Sequence, residues 1–449
     1  MKSVKLMKHK IIFFLLTLFT VHHSLTTDVY ALDANKKLLS NGLTVLHSEK
    51  HNIPIVMVTM IIKASQLDEH KEKAGLANLV AELLDEGTKN RKSQEISEEV
   101  EFIGASLGAS ASDDYTTVTL SVLKKDVEKG FELFSDIILN PVFPQEEIDR
   151  KKELIKGSLK QREEEPSFLA DRAFRKEIFG EHPYGRLREG SIETLTALNR
   201  EDLMKFHSKY FVPNNAIISV VGDLTANELN SLIKKYLGEW KIAALPEKQI
   251  NPMPAEKIKK VIKIEKDVTQ ATISLGHLGI SRDNPDFYAV SVMNYILGGG
   301  GFSSRLVQKI RDDMGLAYGV HSFFSPGKDK GAFEAGVQTK NESANKVISE
   351  ILKQIEIIRE EKVSDQELAD AKAYLTGSFP RRLETNRKIA DFLATVEFYN
   401  LGLDYADKYP SYINTVTKED VLKVAQKYLD PENYALVVVA NQKKAELKY

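Results

Sequence analysis

Residues 201–223, EDLMKFHSKYFVPNNAIISVVGD, recur near the carboxyl end of the chain as residues 419–441, EDVLKVAQKYLDPENYALVVVAN. The leading acidic pair, the Lys-Tyr pair, the proline, the second asparagine and the Val-Val pair align at one constant offset. Each copy predicts an amphipathic helix that stops before a proline, followed by an apolar β-strand. Such self-similarity indicates a duplicated unit. We therefore expect two homologous halves that each close with a helix and then a strand.

The first half opens with strand-like runs and continues with helical ones. Residues 43–46 and 55–62 predict two strands around a proline-bearing turn, and residues 115–122 alternate as a half-buried strand does. Apolar residues recur at helical spacing over residues 75–84 and 144–163. Because strands and helices are segregated, we predict an α+β fold in which each half is a mostly antiparallel sheet with helices packed on one face.

The composition excludes several classes of function. The 449 residues are enough for two or more domains. With 62 basic against 64 acidic residues, the chain has no overall field that attracts nucleic acid, so no nucleic-acid partner is expected. The absence of cysteine excludes disulfides, thiolate zinc sites and a cysteine nucleophile.

The amino-terminal residues 1–31 predict a signal peptide. Lys2, Lys5 and Lys10 precede an apolar run, and Val29-Tyr30-Ala31 offers a small-residue cleavage site. The apolar run is short for a membrane-spanning helix, although an uncleaved anchor is the alternative. In both cases we expect a periplasmic or otherwise exported body with no membrane association beyond this segment.

A proline-rich stretch separates the two halves. Residues 245–254 contain three prolines and no apolar period, which is typical of an extended linker. The predicted organisation is a signal peptide over residues 1–31, an amino-terminal domain over residues 32–245, a linker over residues 246–258 and a carboxyl-terminal domain over residues 259–449.

Residues 75–88, GLANLVAELLDEGT, resemble the zinc-binding stretch of the pitrilysin/insulinase family of zinc metallopeptidases, which reads G-L-A-H-x-x-E-H and ends in G-T. In that family two histidines on one helix face bind zinc, and the glutamate beside them acts as general base on the metal-bound water. Here Asn78 replaces the first histidine, Ala81 the glutamate and Glu82 the second histidine.

The family's remaining ligand, a glutamate on a later helix, falls at Ser158, and Lys151 takes the place of a second carboxylate that family members often carry. Asn78, Glu82 and Ser158 together offer one good oxygen ligand and no imidazole, which is a poor donor set for zinc. We therefore expect a degenerate zinc motif, with no metal and no other cofactor in this chain.

The second half carries LGGGGFSSRL at residues 297–306 and RDDMGLAY at residues 311–318. The glycine run lacks the G-K-[ST] ending of a phosphate-binding loop, so nucleotide binding is not expected. The two strings instead resemble the family's second signature, whose arginine and tyrosine reach from the metal-free half toward the zinc. The resemblance implies that Tyr318 hydrogen-bonds the developing oxyanion and Arg311 holds the substrate backbone. It also places Gly299, Gly300 and Gly301 along the substrate. Inherited packing of Arg311 and Tyr318 is the alternative.

Other polar residues carry weaker signals. His47 and His51, with Glu49 between them, fit no zinc-peptidase spacing and are predicted to be surface histidines. His182, in a His-Pro-Tyr-Gly string similar to one in the family, is predicted to be a packing element. The run Glu163-Glu164-Glu165 is predicted to be a solvated face.

The pattern of a lost zinc motif with a kept arginine and tyrosine resembles two-subunit peptidases of the family. We therefore expect a pseudoenzyme that forms a heterodimer with a zinc-bearing homologue and helps it to hydrolyse peptides, the zinc belonging to the partner. Two alternatives stay open at this point. One is a structural or peptide-binding chamber protein without catalysis, and the other is a self-sufficient metallopeptidase with an unrecognised site.

Overall fold

The structure is a computed structural model that describes residues 32–247, 252–254 and 259–449. The predicted signal peptide, residues 1–31, lies outside the described residues, as do residues 248–251 and 255–258 of the predicted linker. The predicted domain boundaries stay predictions. No helix within the described ranges is long and apolar enough to cross a membrane.

The first half forms a six-stranded sheet within the described residues. Its strands lie in the order β1-β2-β6-β3-β5-β4. Among the described strands of this sheet, only β2 and β6 run parallel, and every other pair is antiparallel. The bounds are β1 Asn35–Leu38, β2 Thr44–Glu49, β3 Ile55–Ile62, β4 Ser106–Ala111, β5 Thr116–Leu123 and β6 Ala216–Gly222.

The second half repeats this plan, and its described part forms five strands in the order β7-β11-β8-β10-β9. Here β7 and β11 form the one parallel pair among the described strands of this sheet. The bounds are β7 Lys259–Glu265, β8 Gln270–Leu278, β9 Ala317–Phe324, β10 Ala332–Lys340 and β11 Tyr434–Ala440.

The repeated segments occupy equivalent places in the two sheets. β6 follows helix Arg200–Tyr210, and β11 follows helix Lys418–Tyr428. Both helices begin with a capping box, formed by Asn199 with Asp202 and by Thr417 with Asp420. Two reciprocal hydrogen bonds at the first turn explain why the aspartate recurs in both copies. The predicted duplication and the predicted α+β fold are confirmed.

The helices complete the two halves. The first half contains α1 Leu76–Ala81, α2 Ser93–Phe102, α3 Val127–Leu139, α4 Gln145–Arg162, α5 Pro166–Phe179, α6 Ile192–Ala197, α7 Arg200–Tyr210 and α8 Ala226–Leu237. The second half contains α9 Phe287–Asn294, α10 Ala344–Glu360, α11 Asp365–Ser378, α12 Asn386–Phe398, α13 Tyr405–Asn414, α14 Lys418–Tyr428 and α15 Gln442–Ala445.

In each half, one face of the sheet packs against that half's own helices. The opposite face is covered by a helix from the other half. α12 of the second half packs Ala390 and Leu393 against Ile217 and Val221 of β6. In return, Phe174 and Phe179 of α5 pack on β11 of the second sheet. Because β6 and β11 are thereby buried on both faces, they read as continuous apolar runs rather than as alternating ones.

A buried carboxylate joins the two halves beside this exchange. Asp114 of the first half accepts hydrogen bonds from the hydroxyls of Tyr184 and Tyr399, the latter at 2.6 Å. It also accepts one from the backbone N–H of Lys328 at 2.9 Å. Tyr399 and Lys328 belong to the second half, whereas Asp114 and Tyr184 belong to the first. The hydrogen bonds of Asp114 therefore link the two halves.

Candidate functional site

Helix α1 holds the positions of the degenerate zinc motif. Asn78 and Glu82 are half-buried, Ala81 is buried, and Ser158 is exposed on α4. Gly75 directly precedes the helix as its N-cap, and its φ of 97° lies in the left-handed region. Its regular turns end at Ala81, so the helix is shorter than the predicted residues 75–84.

A lysine takes part in the site where the family binds its metal. The Nζ of Lys151 on α4 lies 3.2 Å from Oε2 of Glu82 and 3.5 Å from Oε1 of Glu86. Arg150 adds a second cation, with its Nη2 at 2.6 Å from Glu86. An ion pair thus links α1 and α4, the two helices that carry the metal ligands in the family.

The donors present do not fit zinc. Glu82 is the one strong ligand among the motif positions, and it is engaged by the ammonium of Lys151. A dication beside that ammonium would meet direct charge repulsion. Within the described ranges no group of three or more His, Cys, Asp or Glu side chains is arranged to hold a metal ion. The expectation that this chain carries no metal stays a prediction.

A buried glutamate anchors the start of α1. Glu69 accepts backbone hydrogen bonds from Gly75 at 3.0 Å and from Ala77 at 2.5 Å. Burial raises the pKa of this carboxyl to about 8, although the two N–H donors and the charge of Arg186 oppose the shift. The sequence does not single out Glu69, because its partners are backbone groups, which leave no signature of residue type.

The second half brings Arg311 and Tyr318 together, as the sequence predicts. Tyr318 lies on β9, an edge strand, and its side chain is 92% exposed. Arg311 lies in the π-helical segment Val307–Asp313. Its guanidinium carbon is 5.7 Å from the centre of the Tyr318 ring.

Phe302 completes this group and was not assigned a role from the sequence. Its ring centre lies 4.5 Å from the guanidinium carbon of Arg311, and its side chain is 75% exposed. An exposed phenylalanine gains little from burial, so its contact with the guanidinium is the notable interaction that it makes. The signal in the sequence is an aromatic residue at the tip of a glycine run.

The glycine run forms a close-packed support for Phe302. A Cβ at Gly299 would come within 2.7 Å of Nδ2 of Asn294, and a Cβ at Gly300 within 2.7 Å of the Tyr295 carbonyl oxygen. Gly301 has a φ of 57° and open space around it. Gly299 and Gly300 therefore allow close packing of the backbone, and Gly301 allows a left-handed turn. The assignment of these glycines to substrate binding stays a prediction.

An open groove of about 540 Å³ lies beside Tyr318, on the face of the second sheet that α5 partly covers. Glu334 and His321 line it from the sheet, and Asp171 lines it from α5 of the first half. Burial and, to a smaller extent, the charge of Asp171 raise the pKa of Glu334 to about 7, although a hydrogen bond with Ser274 opposes the shift. Burial lowers the pKa of His321. The groove thus places polar groups of both halves next to the exposed tyrosine.

The structure corrects the prediction for His47. This residue was expected at the surface, but its ring is buried on β2 and lies 2.8 Å from the Leu224 carbonyl oxygen. The strand continues past Leu46, so its side chain is covered instead of entering a turn. His51 is exposed as predicted, and it contacts Asp223 at 2.6 Å and Glu49 at 2.7 Å.

The remaining candidates occupy structural positions. His182 is buried and accepts a hydrogen bond from the backbone of Tyr184, in agreement with a packing role. Glu163 pairs with Arg172, and Glu164 pairs with Lys266. These pairs are consistent with the solvated face predicted for the glutamate run.

Two family descriptions match consecutive parts of the chain. Residues 44–190 match the insulinase family, peptidase family M16, and residues 197–375 match the peptidase M16 inactive domain. The chain belongs to the M16 family. Its first half therefore holds the position of the M16 zinc motif, and Arg311 and Tyr318 lie within the part that matches the inactive domain.

Similar chains span nearly all of this one. An uncharacterized zinc protease of Rickettsia felis is 26% identical over 415 residues, which cover 91% of this chain and 98% of that relative. A non-peptidase homolog of Helicobacter pylori is 26% identical over 405 residues, covering 89% and 92%. A crystal structure of a peptidase M16 inactive domain from Pseudomonas fluorescens superposes with a TM-score of 0.86 at 28% identity, covering 91% and 98%. These comparisons support a non-catalytic member of the M16 family.

Proposed function

We propose that this chain is the non-catalytic subunit of an exported M16-type metalloendopeptidase. In this role it lends Arg311 and Tyr318 to the active site of a zinc-bearing homologous subunit that hydrolyses peptides. The observation that carries the proposal is the exposed group of Phe302, Arg311 and Tyr318. Its tyrosine is 92% exposed, and its hydroxyl makes no hydrogen bond with the described residues.

A free phenolic hydroxyl suits the stabilisation of an oxyanion. The zinc-bearing subunit would supply the metal, its bound water and the general base, which is the chemistry that hydrolysis requires. Tyr318 would donate a hydrogen bond to the scissile carbonyl oxygen as negative charge develops on it. The loss of one such donor costs roughly 10²–10³ in rate. Arg311, whose guanidinium contacts the rings of Phe302 and Tyr318, would hold the peptide backbone through its N–H donors.

The first half supports the division of labour between two subunits. Its zinc-motif helix is tied to α4 by the Lys151–Glu82 ion pair, and the position of the general base is Ala81. Neither a zinc ligand set nor a base is therefore provided at the family's catalytic position. The export of the chain rests on the signal-like composition of residues 1–31.

A second candidate function is a peptide-binding chamber without catalysis. The groove beside Tyr318 supports this function, as does the position of β9 at the edge of the sheet that the described residues form. An extended peptide can pair with an edge strand through backbone hydrogen bonds alone. Both candidates place a peptide at the same surface, and they differ in whether the Tyr318 hydroxyl acts on it.

The Tyr318→Phe variant separates the two candidates. It is mixed with a zinc-bearing homologue from the same cell, and the kcat for an unstructured fluorogenic peptide is measured. We expect kcat to fall by roughly 10²–10³ with assembly unchanged. Tyr374→Phe is the matched control, since Tyr374 is another exposed tyrosine of this half, and its ring contacts that of Tyr295. An unchanged kcat in Tyr318→Phe would favour the purely peptide-binding role.

A further inference from the structure

A second pocket lies in the first half, apart from the groove beside Tyr318. It has a volume of about 330 Å³ and lies between the end of α4, the outer side of α5 and residues 185–194. This volume is at the lower end of the roughly 300–1,000 Å³ of small-molecule sites. Apolar side chains contribute to its lining, namely Leu159, Phe168, Leu187 and Ile192. The pocket can therefore accept a small apolar group.

Cations surround this apolar lining. Lys71, Arg172, Lys176 and Arg186 all line the pocket, against the two acids Glu163 and Glu193. Arg172 is neutralised by Glu163, with which it pairs at 2.8 Å. Lys71 has only a long contact of 3.8 Å with Glu181, and both side chains of that pair are exposed. Lys176 forms no ion pair within the described part of the chain. The pocket thus keeps an excess of positive charge.

Arg186 provides the most specific polar group. Its Nη2 donates to the Glu181 carbonyl oxygen at 3.2 Å, whereas its buried Nη1 has no acceptor among the described residues. The nearby carboxyl of Glu69 accepts two backbone N–H groups and makes no hydrogen bond with Nη1. A buried donor without an acceptor is unfavourable, and this cost is larger when the donor is charged. Because Arg186 lines the pocket, a carboxylate bound there would give its guanidinium an acceptor of opposite charge.

We propose that this pocket binds an apolar carboxylate, with its aliphatic or aromatic part on the Leu159 and Phe168 side and its carboxylate at Arg186 and Lys176. Inorganic phosphate would leave the apolar lining uncovered, and a neutral apolar molecule would leave the guanidinium without an acceptor. A ligand with this chemistry can come from two sources, a free apolar acid or the carboxyl-terminal residue of a peptide. The site is independent of the proposed subunit role and is measured on this chain alone.

The experiment is isothermal titration of the purified full chain with hexanoate and with its uncharged analogue hexanamide. We expect hexanoate to bind with a Kd of about 1 mM or tighter, as suits a ligand of few atoms. Hexanamide should bind at least about tenfold more weakly, because it lacks the charge that strengthens hydrogen bonds to arginine. The tripeptide Ala-Ala-Leu is titrated as the free acid and as the amide.

Variants assign the binding to this pocket. Arg186→Gln should weaken hexanoate binding by roughly tenfold or more, since it removes a charge-assisted donor. Lys176→Glu, an exposed change, should weaken it by about threefold or more through charge repulsion. The matched control is Lys234→Glu on α8, an exposed lysine outside the pocket, which should leave the Kd unchanged. Far-ultraviolet circular dichroism confirms that each variant is folded.

Each outcome of the titrations either supports the proposal or overturns it. Tighter binding of the tripeptide acid than of its amide supports the proposal, with a peptide terminus as the source. Binding of hexanoate without binding of the tripeptide acid supports it with a free acid as the source. The proposal is overturned if neither acid binds, if hexanoate and hexanamide bind equally, or if folded Arg186→Gln and Lys176→Glu both retain the parent affinity.

Discussion

The ammonium of Lys151 lies 3.2 Å from the carboxylate of Glu82, and this contact links the two helices that hold the metal in zinc-bearing members of the M16 family. Glu82 stands at the position of the second zinc-binding histidine. Lys151 thus places the positive charge of a side chain beside this position. The pair of opposite charges attaches α4 to the carboxyl end of α1.

The ion pair predicts that restoring the ligands alone will give poor zinc binding. The N78H/A81E/E82H/S158E variant regains the family's ligands and base but retains Lys151. We expect it to bind zinc at least about tenfold more weakly than the same variant with Lys151→Glu added, because the ammonium repels the dication. Competition with a chromogenic chelator measures both affinities. Equal affinities would show that Lys151 does not oppose the metal.

The stacking of Phe302 on Arg311 predicts a positioning effect on turnover. In the assembled pair, Phe302→Ala should lower kcat/KM by about twofold to fivefold, which corresponds to roughly 0.5–1 kcal/mol for an exposed cation–π contact. Phe302→Trp should retain the parent value because it keeps an aromatic face. Peptide-cleavage kinetics with all three proteins provide the measurement. A loss in Phe302→Trp as large as in Phe302→Ala would contradict a role for the ring face.

Glu69 predicts a pH-dependent contribution to stability. Burial raises the pKa of its carboxyl to about 8 in the folded chain, from an ordinary value near 4.5. Between these two values the folded state binds more protons than the unfolded state, so the free energy of unfolding falls as the pH rises. Above about pH 8 the buried carboxyl is ionised, and the resulting loss in the free energy of unfolding reaches its full size, on the order of a few kcal/mol.

Urea unfolding at pH 5 and pH 9 checks this effect with Glu69→Gln as the comparison. Glutamine resembles the protonated acid and cannot ionise, so the variant should lose less stability between the two pH values than the parent chain. The other titrating groups are the same in both proteins. The difference between their two losses of stability therefore reports the contribution of Glu69. Identical losses would mean that Glu69 remains ionised in the folded state throughout this range.

The Asp114 contact predicts coupling between the halves. Tyr399→Phe removes one hydrogen bond to Asp114 across the interface and should reduce the free energy of unfolding by about 1–3 kcal/mol. The region between the halves should also become more sensitive to limited proteolysis. Tyr374→Phe again serves as control, since that tyrosine lies away from the interface contact and is half exposed. Equal proteolysis of both variants would argue against Asp114 as a link between halves.

The local features of the fold could be predicted from the sequence because their signals are local. The run Ile55–Ile62 is a strand with the predicted bounds, and the predicted helix over residues 144–163 is observed as Gln145–Arg162. The exchange of α5 and α12 was not predicted. Their apolar stripes show that each helix is buried on one side, but the stripe does not tell which sheet covers it.

In the candidate site, too, the sequence predicts contacts within one segment but not contacts between distant segments. The proximity of Arg311 and Tyr318 followed from a family signature, since both residues lie in one short segment. The Lys151–Glu82 pair joins residues that are far apart in the chain, and neither charge indicates its partner by type. His47 was misplaced for a related reason, because its burial depends on the neighbouring strand β6 and on the segment around Leu224 that follows it.

The proposed division of labour is decided by the zinc content and peptidase activity of the purified chain, alone and mixed with a zinc-bearing homologue from the same cell. We predict that the chain alone is free of zinc and inactive, and that the mixture cleaves an unstructured fluorogenic peptide faster than the homologue alone. One zinc bound per chain together with unaided cleavage would contradict the proposal.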